Sequence, residues 1–134
     1  MTVERISDQA KKVITLLASA QYEATGATNS SEFNAPWAKG IKLFIDVSAD
    51  TGSGTIVVKL QDKDPLSGNW VDIAGATTAT LTGTGTVTVT MYPGIAETAN
   101  VSVSDLLGDD FRVVWTMGGT SVDMTGSVSA VLLP

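Results

Sequence analysis

The side chains able to do chemistry in this chain are hydroxyls and a few carboxylates. The 134 residues include no His and no Cys. Without His, the usual general base near neutral pH and the commonest metal ligand are both missing. Without Cys there is no disulfide framework and no thiolate metal site. Ser and Thr are plentiful, but no Ser-x-x-Lys motif and no Gly-x-Ser-x-Gly elbow activates one of them. Gly83, Thr84 and Gly85 look like a phosphate-binding loop only in their glycines, because the lysine and the following helix are absent. Asp62 and Asp64 flank Lys63, and Asp109 precedes Asp110. Ca²⁺ takes its oxygens from such turns, yet neither pair has calcium-loop spacing, so the plain reading is solvated turn acids. Paired carboxylates at suitable separation also serve glycosidases, but any two acids can be nominated that way. The chain therefore reads as non-enzymatic, with no cofactor and no metal.

The elements that would hold these side chains follow from composition and period. Charged residues are 16% of the chain, against ~25% in an average globular protein. Val and Thr fill much of the gap, and their branched Cβ suits a pleated sheet. One domain is expected at this length, burying roughly two thirds of its unfolded surface. The formal charge of −6 repels phosphate backbones and argues against nucleic acid. The start does not read as a signal peptide. No apolar run approaches the ~20 residues of a membrane span.

Residues 1–12 hold the densest charge. Val3, Ile6, Ala10, Val13 and Leu17 recur at three-to-four spacing, so this segment is expected to be a docking arm or a short helix. The remainder, 13–134, alternates with period two. Val13 to Ala20 reads as a buried strand and Gly26 to Ser31 as a loop. Ile41, Leu43, Ile45 and Val47 form one face of a strand, as do Ile56, Val58 and Leu60. Asp64 to Asn69 carries Pro65 and Gly68 and should close a hairpin onto Trp70. Thr77 to Thr82 reads as a short strand, and Val87, Val89 and Met91 as the next. Residues 94–108 make a long connection. Phe111, Val113, Trp115 and Met117 alternate, Gly118 and Gly119 are expected to turn a hairpin, and Val122 to Leu132 alternate again. The sum is an all-β antiparallel sandwich of about eight strands, jelly-roll-like in its long crossings, with an immunoglobulin-like order still open.

Four residues stand out as candidates for partner binding. Val3 and Ile6 form the apolar side of the arm. Trp37 lies in a loop with Asn34 and Pro36, and is expected to be the most exposed tryptophan. Phe44 is out of phase with Ile41, Leu43, Ile45 and Val47, so it should face outward, or else be covered by the N-terminal segment. Trp115 shares parity with Phe111 and Val113 and reads as core. Trp70 reads as a cap on the core edge.

From Val13 to Leu133 the chain resembles the head decoration, or capsid cement, proteins of tailed phages. The likeness runs through the stretch Val13 to Ala20, then Lys39, Gly40 and Ile41 leading into Phe44 to Val47. It continues through Lys63 to Gly68 before Trp70, and through Tyr92, Pro93 and Gly94 with the later Phe111 to Trp115. It ends with Gly118, Gly119 and Thr120 followed by Val128 to Ala130. The resemblance implies a jelly-roll-like protein with no catalytic residues. It implies binding to the major capsid protein on the outside of an assembled shell, often as a homotrimer, in a virion assembled in the host cytoplasm. The competing expectation is a tail-fibre, baseplate or carbohydrate-binding sandwich that stacks sugars on Trp37 or Trp70. A chain without a metal should melt at the same temperature with EDTA or with Ca²⁺, as read by differential scanning calorimetry; a shift would reinstate the acid pairs as ligands.

Overall fold

A computed structural model of the chain describes residues 3–5 and 12–134. Among these residues there is no helix. Eleven strands run β1 Val3–Arg5, β2 Lys12–Tyr22, β3 Gly26–Asn29, β4 Glu32–Asn34, β5 Gly40–Asp50 and β6 Ser53–Lys63, then β7 Trp70–Thr77, β8 Gly85–Met91, β9 Ser102–Val103, β10 Asp110–Thr120 and β11 Met124–Leu133. One sheet has the order β1-β4-β10-β6-β7, with β3 also on β10; the other is β2-β11-β5-β8-β9. Four long strands, β2, β11, β5 and β8, thus face a second group of β3 and β4, β10, β6 and β7. Successive strands mostly change sheet, and β2, near the start of the chain, lies beside β11 at its end. That is a jelly roll, and the open question of strand order is settled in its favour.

Alternation explains most of this. Ile41, Leu43, Ile45 and Val47 on β5 are buried, as are Ile56, Val58 and Leu60 on β6 and Phe111, Val113, Trp115 and Met117 on β10. Met124, Val128, Ala130 and Leu132 on β11 complete the inner face. Each is a residue that gains by leaving water, about 1.5–3 kcal/mol for a large aliphatic side chain. The β6–β7 hairpin closes as the sequence suggests. The Asp64 carboxylate accepts hydrogen bonds from the Leu66 amide at 2.9 Å and the Ser67 hydroxyl at 2.8 Å, and Gly68 takes a φ of +76°.

Several expectations change. Residues Val3–Arg5 are a strand paired in parallel with β4, so the helical stripe does not hold there; Ile6 lies outside the described residues. β2 is a half-buried edge strand, not a buried one: Ile14 and Leu16 face in, while Val13 is 74% exposed. Gly26–Asn29 is a strand on β10 although every side chain is exposed, which leaves no alternation to read. Thr77 to Thr82 is not a strand beyond Thr77; only an isolated bridge joins Leu81 to Ile56. Gly118 and Gly119 do not turn a hairpin. They continue β10 opposite Thr55 and Gly54, and the chain bends later, at Ser121 with φ +50°, to cross to the other sheet.

Trp115 is the largest fully buried side chain and sits between the sheets. Tyr22 stacks on it at 4.9 Å between ring centroids. Its indole N–H donates to the Met117 sulfur at 2.9 Å, so no polar atom is stranded. Gly126 of β11 faces the same ring. A Cβ there would stand 2.4 Å from Trp115 Cη2 and 2.6 Å from the Asp46 carbonyl oxygen. Gly126→Ala should therefore cost about 1–3 kcal/mol, as overpacking does, read from the urea midpoint; a loss under about 0.5 kcal/mol would mean that the ring has room to move.

Candidate functional site

The four candidate contact residues do not converge. Val3 is 52% exposed and stands on β1 at the border of the first sheet, opposite Glu32. Ile6 is outside the described residues. Phe44 lies in the middle of β5 on the outer face of the second sheet, between Ser129 and Thr88. It does face outward, half-buried, with the Lys42 ammonium 5.3 Å from its ring. β1 belongs to the opposite sheet, so Val3–Arg5 do not cover it. Trp37 corrects its expectation. It is partly buried and packs on the core, because the Ala38 amide donates to the Ala35 carbonyl at 3.0 Å and both alanines are buried, which folds the loop inward.

The densest polar arrangement is one that pattern reading missed. It covers the outer face of the first sheet around Trp70. The Arg112 guanidinium carbon lies 4.3 Å from the Trp70 ring centroid and the Lys63 ammonium 5.5 Å. Lys63 pairs with Glu32 at 2.9 Å. Arg112 Nε donates to Gln61 Oε1 at 2.8 Å, Gln61 Nε2 donates to Asp72 Oδ1 at 2.7 Å, and Lys59 reaches Asp72 Oδ2 at 3.0 Å. The Gln61 and Lys59 hydrogen bonds hold the Asp72 carboxyl below its ordinary value. This chain of contacts crosses four strands, from β4 to β7, and holds Trp70 on the outer face of the sheet instead of at the core edge. The signal lay in cross-strand register: Lys63 opposes Trp70 and Gln61 opposes Asp72.

The two acid pairs do meet. Asp62, Asp64, Asp109 and Asp110 line one open cleft of about 470 Å³ at the end of the sandwich, with Asn34, Lys63, Pro65, Val71 and Gly108. Asn34 Nδ2 donates to Asp110 Oδ1 at 2.7 Å. Burial pushes the Asp62 carboxyl above its ordinary value against a hydrogen bond from the Gly108 amide, and the Asp105 charge adds to the rise. Among the described residues no group of three or more His, Cys, Asp or Glu is placed to hold a metal ion. No helix there is long and apolar enough to cross a membrane.

With that geometry in view, the comparisons speak to the fold. No family model matches the chain, and no curated protein does. A chain from the structure of infectious bursal disease virus Gx strain superposes with a TM-score of 0.53 at 15% identity, over 92% of this chain and 32% of that one. A chain from the Gt strain of the same virus gives a TM-score of 0.48 at 12% identity, over 92% and 33%. The present chain thus spans about a third of the length of the viral chains it is similar to. The all-β sandwich shares its fold with a chain in the structure of a virus; the narrower likeness to phage decoration proteins rests on the sequence segments alone.

Asp62 yields a pH signature. An acid whose folded value lies above its unfolded one opposes folding while it is ionised. That cost fades as pH falls through the raised value and is gone below the unfolded one. Asp62→Asn should raise the melting temperature at pH 7, with the gain over wild type shrinking as pH falls toward 3. A gain that is constant with pH would place the effect outside this carboxyl.

Proposed function

We propose that this domain is a non-enzymatic structural component of a virion that binds and stabilises an assembled capsid, as the decoration proteins of tailed phages do. The observation that carries the reading is the jelly roll, alike over 92% of this chain to a chain in the structure of a virus. The sequence segments from Val13 to Leu133 point to the narrower decoration role. The chemistry agrees with it: without His or Cys, and with 16% charged residues, the chain offers surface instead of reactive groups. Its partner is the major capsid protein, its place the capsid exterior after assembly in the host cytoplasm, and its form a homo-oligomer, a trimer by the resemblance.

A cement protein acts by mass action. It binds the assembled state, not the free subunits, and so raises the stability of the assembly. Repeated sites on a symmetric shell make modest affinity per site effective. In this reading residues 1–12 and one sheet edge dock, with Val3 and Ile6 as apolar contacts, while Trp37 and Phe44 mark secondary surfaces. The sugar-binding alternative needs a bare tryptophan face. Trp37 packs on the core, and Trp70 carries Arg112 and Lys63 on its ring.

The test is co-expression with the major capsid protein of the same virion, followed by a density gradient. The full chain should travel with assembled shells at fixed stoichiometry and stay apart from free coat subunits. Deleting residues 1–12 should strip it from the shells with the melting transition retained. A full chain left at the top of the gradient at low and moderate salt would defeat the decoration reading, and unchanged occupancy after the deletion would defeat the arm.

A further inference from the structure

The second sheet loses its outer neighbour partway along β8. β5 pairs with β8 from Gly85 to Met91, but β9 pairs with it only at Thr90 and Met91. Residues along an antiparallel strand point their backbone groups alternately toward and away from the partner. The Thr90 amide donates to the Val101 carbonyl at 2.9 Å, away from β5. Thr88 and Thr86 share its parity, so their N–H and C=O groups also point away from β5. Among the described residues no strand meets them there. The chain before β9 turns off this edge. Asn100 takes a φ of +62°, the Val101 amide bonds back to the Thr98 carbonyl at 3.0 Å, and the Asn100 side chain donates to the Thr77 carbonyl at 3.3 Å. Beside the bare edge lies a hollow of about 470 Å³, lined chiefly by Ala79, Leu81, Val87, Ala99 and Val101. A second, of about 130 Å³, shares Leu81 and Val87 and adds Val47, Thr84 and Gly85. No ionisable side chain lines either hollow.

We infer that the β8 edge from Thr86 to Thr88, with the hollows beside it, takes an extended, uncharged peptide segment of a partner protein as an added strand. Three observations select that occupant. The unpaired groups are backbone donors and acceptors at strand spacing, and another extended backbone matches them. β9 already shows the fit within the chain: its two residues pair on β8, and the Val103 side chain is buried beside Gly75 of the facing sheet. An incoming segment extends that row, and its side chains two apart face the two hollows. Charge sets the composition. The chain carries −6 overall, yet these hollows hold no ionisable group. A charged side chain placed there would lose its water and gain no partner, whereas a small apolar one covers Leu81 and Val87. Backbone bonds supply the affinity, and the hollows supply a preference for valine-sized side chains at alternate positions.

The site does not rest on the capsid reading, because its occupant is defined by backbone and side-chain chemistry alone. The test is a titration of the isotope-labelled full chain with the capped peptide acetyl-Ser-Val-Thr-Val-Ser-amide, followed through the amide signals by NMR. The Thr86 and Thr88 amides should move downfield and saturate, with a Kd of about 1 mM or below. The same peptide methylated on its backbone nitrogens should bind at least tenfold more weakly. Val101→Asp, at an exposed position on the rim of the larger hollow, should weaken binding at least tenfold at an unchanged melting temperature. Val13→Asp, the same change at an exposed valine on β2, should bind as wild type does. No saturable shift at Thr86 and Thr88 up to about 10 mM peptide would overturn the inference. Equal binding of the methylated peptide, or wild-type binding by Val101→Asp, would do the same. Shifts at these two amides that grow with protein concentration, with no peptide added, would put a second copy on the edge and overturn the partner segment.

Discussion

Trp115 and the missing side chain of Gly126 hold the two sheets at their spacing. The indole fills the gap between β10 and β11, and its edge occupies the space that any Cβ on residue 126 would need. Three other features follow from that contact. Tyr22 stacks on the ring and so ties the outermost strand, β2, to the centre of the core. Met117 turns its sulfur toward the indole N–H and removes the one polar liability of so large a buried group. The register of β11 is irregular near Gly126, against both β2 and β5, where the chain passes over the ring. Bulges of this kind bend a strand and deepen its twist.

The two outer faces are built on different principles. The first sheet is laced by paired charges and amides around Trp70, so its outward groups largely satisfy one another. The second shows a row of threonines, Thr86, Thr88 and Thr90, beside Lys42, Phe44 and Asp46. A face whose polar groups are already engaged has little to offer a partner, because a new contact must first break an old one. Among the described residues these short hydroxyls make no such network, apart from Thr86 bonding Asp46 at 2.8 Å.

Fold class was legible because seven of the strands are half-buried and long enough to show their period, β10 and β11 most clearly. What escaped reading lacked that contrast. β3 has four exposed side chains, and its place comes wholly from backbone bonds to β10. β1 and β9 are too short to carry a pattern. Thr77 to Thr82 has strand-forming residues, yet the chain there must cross from one sheet to the other, and topology overrides propensity. Phe44 was placed outward by phase alone. Trp37 was misjudged because loop composition suggests exposure, while the neighbouring alanines allow the loop to lie on the core. The cluster around Trp70 needed the β6–β7 register, which the hairpin turn hints at but cross-strand contacts define.

The adjacency of the first and last long strands has a consequence for how the chain acquires its shape. β2 is made early, yet its only described partner is β11, a hundred residues later, and β5 waits for the same strand on one side. Neither terminus has a local neighbour with which to begin. Loop closure must come before the reward of pairing, which places such topologies among the slow folders. During synthesis the growing chain would hold β2 without its described partner until β11 has left the ribosome. Protection of that apolar strand in the interval falls to chaperones or to the speed of the last closing step.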